Sequence, residues 1–294
     1  MILQAGRHRI AFPRRPLIMG IVNVNDDSFS GDGTLNFEKA RGLAARAVAD
    51  GADIIDVGAE SARTNRGPVS VEEEVDRLKG FLEGWEAHCQ TLRPKDETQL
   101  WPPLLSINTW RPDVVRQILP VGVDLLNDMS ALGTPENAEL CAPTDTALLI
   151  MHSIGQPKEP HLDQHYEKVM HDLDRFFSDK LSVAKKAGLP VERIVLDPGI
   201  DFAKQKEDNL LIYRHLDRLQ AFERPLLLPV SRKTVIGEVL DLENPNDRDA
   251  GTVACLVSGF LRGAAIFRVH HVAAAWQTLK VLQAVETVEQ PGIR

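Results

Sequence analysis

The side chains able to do chemistry in this chain fall at the ends of short apolar runs. They are Asn23 with Asp27-Ser28-Phe29; Asp56, Glu60 and Arg63; Asn108; Asn127-Asp128; His152; Asp197; Ser231-Arg232-Lys233; and Arg268 with His270. Lys233, Arg232, Arg268 and Arg63, with a protonatable His270, would make a local basic focus suited to a phosphate or pyrophosphate. Asn108, Asn127 and Asp197 supply donors and acceptors for a polar heterocycle with amide-like edges. Taken singly, an Asn or Asp after a strand is most often a turn or cap residue, and His152 reads as a hydrogen-bonded core histidine. Their conjunction argues for a site, because independent turns have no reason to gather amides, carboxylates and cations at one end of a fold. No Ser-His-Asp or Cys-His constellation is evident, and Cys89, Cys141 and Cys255 have neither zinc-site spacing nor a disulfide framework, which fits a reducing cytoplasm.

The elements that would position these groups are eight β-branched, apolar runs at 17–22, 53–57, 103–107, 123–126, 147–151, 193–196, 225–230 and 264–269. Such runs read as parallel strands buried on both faces. Helical periodicity lies between them, as at 37–50, 71–89, 163–187 and 209–222, and a closing helix follows at 272–288. The alternation predicts one α/β domain over 17–290, a (β/α)8 TIM barrel with its active site on the C-terminal ends of the strands. An open doubly wound sheet is the alternative, but no GxGxxG follows any strand. Residues 1–16 read as a short hairpin capping the barrel, and the polar stretch 88–103 as an elongated surface loop.

A formal charge of −8 disfavours nucleic acid or an anionic membrane as partner. No apolar run approaches bilayer-spanning length, and the start lacks a signal-peptide core. Arg7, His8, Arg9, Arg14 and Arg15 give the start a faint likeness to a transit segment, against which Ile10-Ala11-Phe12 alternates like a strand.

Six ordered motifs resemble the dihydropteroate synthase family. They are Met19-Gly20-Ile21-Val22-Asn23-Val24 with Asp27-Ser28-Phe29-Ser30; Gly51-Ala52-Asp53-Ile54-Ile55-Asp56-Val57-Gly58 with Glu60-Ser61; Asn127-Asp128; Leu196-Asp197-Pro198-Gly199; Ser231-Arg232-Lys233-Thr234-Val235-Ile236-Gly237; and Arg268-Val269-His270. The resemblance implies condensation of a dihydropterin pyrophosphate with 4-aminobenzoate, in a cytoplasmic homodimer that uses Mg²⁺. It implies that Asn108, Asn127, Asp197 and Lys233 hold the pterin, and that Asn23, Arg63, Arg268 and His270 hold the pyrophosphate, with Asn23 also on the metal. Lys233, Arg268, His270 and Asp197 would carry catalysis, and Phe29, Ala62, Arg63, Phe202 and Thr234 would line the 4-aminobenzoate pocket. Thr234 opens a predicted helix, so its hydroxyl and the free N–H groups there would form a site for the acceptor's carboxylate.

The chain departs from the family pattern in places. It reads Ser106-Ile107-Asn108-Thr109 where Ser-Ile-Asp-Thr is usual, Asn25-Asp26 where Thr-Pro is usual, and Ala62-Arg63-Thr64-Asn65 where Thr-Arg-Pro-Gly is usual. Asp201 and Ala203 stand where glycines are common, Pro229 replaces a glycine, and His271 replaces an Asp. These changes imply lowered sulfonamide affinity, or a paralogue that binds a pterin but uses another acceptor or turns over weakly.

Overall fold

The computed structural model describes residues 1–25, 33–60, 67, 69–155, 157–158 and 164–288. The chain opens with an antiparallel pair, β1 (Ile2–Ala5) and β2 (His8–Ala11). Strand–helix units follow: β3 (Leu17–Asn23), α1 (Phe37–Asp50), β4 (Ile54–Gly58), α2 (Val71–Thr91), β5 (Leu104–Asn108), α3 (Pro112–Ile118), β6 (Leu125–Asp128) and α4 (Glu136–Cys141). They continue with β7 (Ala147–Met151), α5 (Val169–Lys186), β8 (Ile194–Asp197), α6 (Lys206–Arg214), β9 (Leu227–Pro229), α7 (Thr234–Leu240), α8 (Asp249–Phe260), β10 (Ile266–Val269) and α9 (Val272–Thr287).

Strands β3 to β10 form one eight-stranded parallel sheet in the order β8-β7-β6-β5-β4-β3-β10-β9. A parallel bridge between Leu196 and Leu226 joins its two edges, so the sheet closes into the predicted (β/α)8 barrel. Strand residues alternate between two cores. Ile18, Ile55, Leu105, Leu126, Leu148, Leu196, Leu228 and Phe267 pack outward under the helices. Leu17, Met19, Ile54, Leu104, Leu125, Leu149, Val195, Leu227 and Ile266 pack inside the barrel, joined by Leu3, Ala5, Ile10 and Phe12 of the β1–β2 pair. Both faces are therefore apolar, which is why the strands read as unbroken hydrophobic runs.

Helix starts follow local chemistry. The side chain of Asn36 accepts from Lys39 N–H, Ser70 accepts from Glu73 N–H, and Gln205 and Asp208 make a reciprocal capping box at α6. Two segments differ from the sequence reading. The helix expected at 209–222 is α6 followed by a 3-10 stretch at Leu216–Phe222, which buries Leu216 and Leu219 at i, i+3 spacing. The stretch at 88–103 is not a loose surface loop: α2 runs through Thr91, and buried Gln99 donates to the carbonyls of Val48 and Ala52 at 3.0 and 2.6 Å. Leu100 N–H also donates to Asp53, whose carboxylate accepts from Arg15 in a buried ion pair at 2.7 Å.

Candidate active site

The inward parity of the strands decides what reaches the mouth. Two residues beyond inward Ile54 stands Asp56; beyond Leu104 come Ser106 and Asn108; beyond Leu125, Asn127; beyond Val195, Asp197; beyond Ile266, Arg268. Register aligns Asn23 with Gly58, Gly58 with Asn108, and Asn108 with Asn127. At the C-terminal end of the barrel interior, apolar packing thus gives way to a ring of polar groups.

Asp56 organises this ring. Its carboxylate is fully buried and accepts from Ser106 Oγ at 2.6 Å, Asn127 Nδ2 at 3.0 Å and Arg268 Nε at 2.8 Å. The Arg268 side chain remains partly exposed while its Nε is held by Asp56. Asp197 accepts from Gly199 N–H at 2.7 Å; burial pushes its pKa up to about 6, against the opposing pull of that bond and of Lys233, Lys204 and Arg268. Gly199 has φ +69°, and a Cβ there would fall 1.9 Å from the His152 carbonyl, so this turn requires glycine. Lys233 donates to the Ile200 carbonyl at 2.9 Å and lies 4.9 Å from the Phe202 ring centre; burial lowers its pKa, with Asp201 and Asp197 opposing. His270 lies against Ser231, Nδ1 to Oγ at 2.9 Å, which fixes the ring at the end of β10.

Asn108 is buried, and its Nδ2 is a buried nitrogen without a hydrogen-bond partner among the described residues. Asn23 ends β3 half-buried, its carbonyl accepting from Thr34 N–H. Phe29, Ala62 and Arg63 lie outside the described residues.

Three sequence expectations change. Arg232 does not join the basic focus: it bonds Asp249 at 2.8 Å and Asn246 at 2.7 Å, on the side of α8. The N–H groups at Thr234 and Val235 are not free for an acceptor, because both donate to the Asp201 carboxylate. Asp128 and Glu60 are structural: Asp128 accepts from Ser130 N–H and Asn137, and Glu60 pairs with Arg111 and Lys158. His152 is the core histidine that its type predicted, 4.7 Å from Phe176 and 2.8 Å from Lys204 Nζ, with its pKa lowered to about 2 by burial and then by Lys204. Parity sets Asp128 and His152 apart from the mouth residues, since they follow outward Leu126 and Ile150. Sequence reasoning placed Asp56 at the mouth without giving it a task; its inward parity was the available signal.

The sequence profile described as "Pterin binding enzyme" matches residues 19–270. The chain belongs to the pterin-binding enzyme family. It is 34% identical over 276 residues to the dihydropteroate synthase of Escherichia coli K12, covering 94% of this chain and 93% of the relative. The Yersinia pestis dihydropteroate synthase with a sulfonamide drug superposes with a TM-score of 0.86 at 34% identity, covering 98% of this chain and 100% of that one. The Xanthomonas albilineans enzyme in complex with 7,8-dihydropteroate gives 0.81 at 33% identity, covering 98% and 99%. The barrel, its polar mouth and the family membership agree on one kind of enzyme.

Proposed function

We propose that this chain is a dihydropteroate synthase, a transferase of folate biosynthesis that joins 6-hydroxymethyl-7,8-dihydropterin pyrophosphate to 4-aminobenzoate and releases pyrophosphate. The observation that carries this reading is the convergence of buried Asp197, Asn127 and Asn108 with half-buried Lys233, Arg268 and His270 at one barrel mouth, in a chain aligned over nearly its full length with such enzymes. Asp197, as a carboxylate, would accept from N–H groups on the pterin edge, while Asn127, held by Asp56, and Asn108 bond other edge atoms. Lys233 would donate to ring acceptors.

Arg268 and His270, with Asn23 and Arg63, would hold the pyrophosphate. Neutralising its charge lets it depart, leaving a cationic pterin methylene carbon that the aromatic amine captures. No protein nucleophile is required, and buried Cys141, its thiol pushed up to about 12, is unsuited to the task. The donor set fits Mg²⁺ in one respect: Asn23 offers a single hard oxygen, and such an ion binds through few protein oxygens plus substrate phosphates. Mg²⁺ would supply further charge neutralisation of the leaving group.

Phe29, Ala62, Arg63, Phe202 and Thr234 would line the acceptor pocket, and the altered residues 62 and 64 support weakened sulfonamide binding; an inhibition constant equal to that of the Escherichia coli enzyme would count against this. A homodimer is part of the reading, supported by aliphatic side chains exposed on and near α9, Leu261, Val281 and Val285 among them. Free cysteines and the absence, among described residues, of any helix long and apolar enough to cross a membrane support a cytoplasmic setting. The test is pyrophosphate release with each substrate omitted in turn, with and without Mg²⁺. Release that depends on both substrates supports the reading; pterin binding without such dependence overturns it and favours a paralogue with another acceptor.

A further inference from the structure

The turn between β9 and α7 is held from the start of α8. Arg232, in the middle of that turn, has φ +57°, a left-handed backbone that residues other than glycine rarely adopt. Its N–H donates to Thr252 Oγ1 at 2.9 Å, and its carbonyl and that of Lys233 accept from Arg248 Nη1 at 3.2 and 3.3 Å. Arg248 is buried, and the rest of its guanidinium meets the chain beyond the other end of α7. There Nε and Nη2 donate to the Leu242 carbonyl at 3.0 and 2.8 Å, and Nη2 also to that of Glu243 at 2.7 Å. These five hydrogen bonds all end on backbone carbonyls, so the buried cation is satisfied only when both ends of α7 are in place. Gly237 makes room for it, since a Cβ there would fall 2.5 Å from Arg248 Cζ. The last glycine of the Ser231–Gly237 motif thus belongs to the same device.

We propose that Arg248 is a positioning residue for the reaction, a brace across α7 that aims the two side chains flanking Arg232. Lys233, on one side, seats its ammonium on the Ile200 carbonyl; Ser231, on the other, holds His270 through Oγ, which accepts from the His270 N–H and lies against its Nδ1. The inference rests on the reading of the mouth as a dihydropterin pyrophosphate site, with Lys233 on the ring and His270 on the pyrophosphate. Arg248 acts on both through the backbone at 232 and 233. A turn released from it shifts the two groups together, and a misplacement of about 1 Å in such groups costs about 10²-fold in rate.

The test compares the natural chain with Arg248→Gln, Arg248→Lys and Gly237→Ala, and with Arg224→Gln as a control. Arg224 is likewise a buried guanidinium that donates to carbonyls, those of Ile2 and Val191, but at the opposite end of the barrel. Pyrophosphate release is measured at saturating 4-aminobenzoate with dihydropterin pyrophosphate varied, below the melting temperature of every variant. Arg248→Gln should raise the KM for dihydropterin pyrophosphate and lower kcat, each by about tenfold or more. Arg248→Lys, which keeps the charge with fewer donors, should fall between. Gly237→Ala, which keeps Arg248 but displaces its guanidinium, should shift both constants in the same direction. Arg224→Gln should lower the melting temperature and leave both constants within about twofold of the natural chain. Equal kinetic losses in Arg224→Gln and Arg248→Gln, or constants within about twofold of the natural chain in both Arg248→Gln and Gly237→Ala, would overturn the proposal. If the natural chain releases no pyrophosphate, the functional reading fails on its own. Crystal structures of the natural chain and Arg248→Gln then decide the inference: Lys233 drawn away from the Ile200 carbonyl supports it, and an unchanged turn at 231–233 overturns it.

Discussion

Nε of Arg268 donates to Oδ2 of Asp56 at 2.8 Å, and the same oxygen accepts from Asn127 at 3.0 Å. One buried carboxylate thus sets the direction of a cation suited to pyrophosphate and of an amide suited to a heterocycle. The two halves of the mouth share a hinge point at β4.

Replacing Asp56 by Asn should therefore damage both halves. Arg268 loses its charge partner and Asn127 faces an amide of ambiguous polarity. Breaking a buried pair of this type costs about 3–5 kcal/mol when a charge is left unmatched; the discount for Arg268, which is partly exposed, brings the expected loss to about 1–3 kcal/mol. Turnover should fall by about 10²-fold or more, as for other lost transition-state donors. Thermal unfolding and steady-state pyrophosphate release check the two effects, and turnover within about twofold of the natural chain would refute the positioning role.

The raised pKa of Asp197, about 6, gives a pH dependence with opposite signs for stability and for binding. A carboxyl raised above its ordinary value favours the fold when protonated. That contribution is fully present below about pH 4 and is lost as pH rises through about 6. Binding a ring through its N–H groups requires the carboxylate, so pterin affinity should rise over the same span. Calorimetric affinity and melting temperature between about pH 5 and 7 test this, with Asp197→Asn expected to flatten both curves. An affinity that is flat across that range in the natural chain would refute it.

Much of this was legible in the sequence for a simple reason. Strands buried on both faces write themselves as apolar runs, and a period of two then marks where Asp56, Asn108, Asn127, Asp197 and Arg268 must point. What could not be read depends on contacts distant in sequence. Arg232 looked like Lys233 until Asp249 and Asn246 claimed it, and Thr234 looked like an open helix start until Asp201, 33 residues earlier, reached its N–H. The tying of Gln99 beneath α1 was hidden likewise, since its partners are carbonyls of Val48 and Ala52.

Lys204 holds the loop that carries Asp201 and Phe202. Its ammonium donates to the carbonyls of Gly199 and Phe202 at 2.9 and 3.0 Å and lies against His152, and burial lowers its pKa to about 7. Hydrogen bonds from a charged donor contribute about 1.5–3 kcal/mol, so Lys204→Met should lower the melting temperature and loosen that wall. The KM for the amine should rise about tenfold while pterin affinity changes little. Separate titration of each substrate distinguishes this from general unfolding, which would weaken both.

Asn108 offers the sharpest single substitution. Its Nδ2 is buried without a partner among the described residues, in the ring beside Asn127, so it is placed to meet a ligand acceptor and cannot offset positive charge. A carboxylate there would stabilise a cationic pterin as pyrophosphate leaves, and each 1.36 kcal/mol of such stabilisation is about tenfold in rate. Asn108→Asp should therefore raise turnover by about tenfold or more, with the KM for the pterin substrate nearly unchanged. It should also lower the melting temperature of the free protein, because a carboxylate at this buried position is costly to ionise. A faster enzyme with a less stable free state would mark Asn108 as a brake on a competent synthase, whereas unchanged turnover would mean that charge at this position does not limit the reaction.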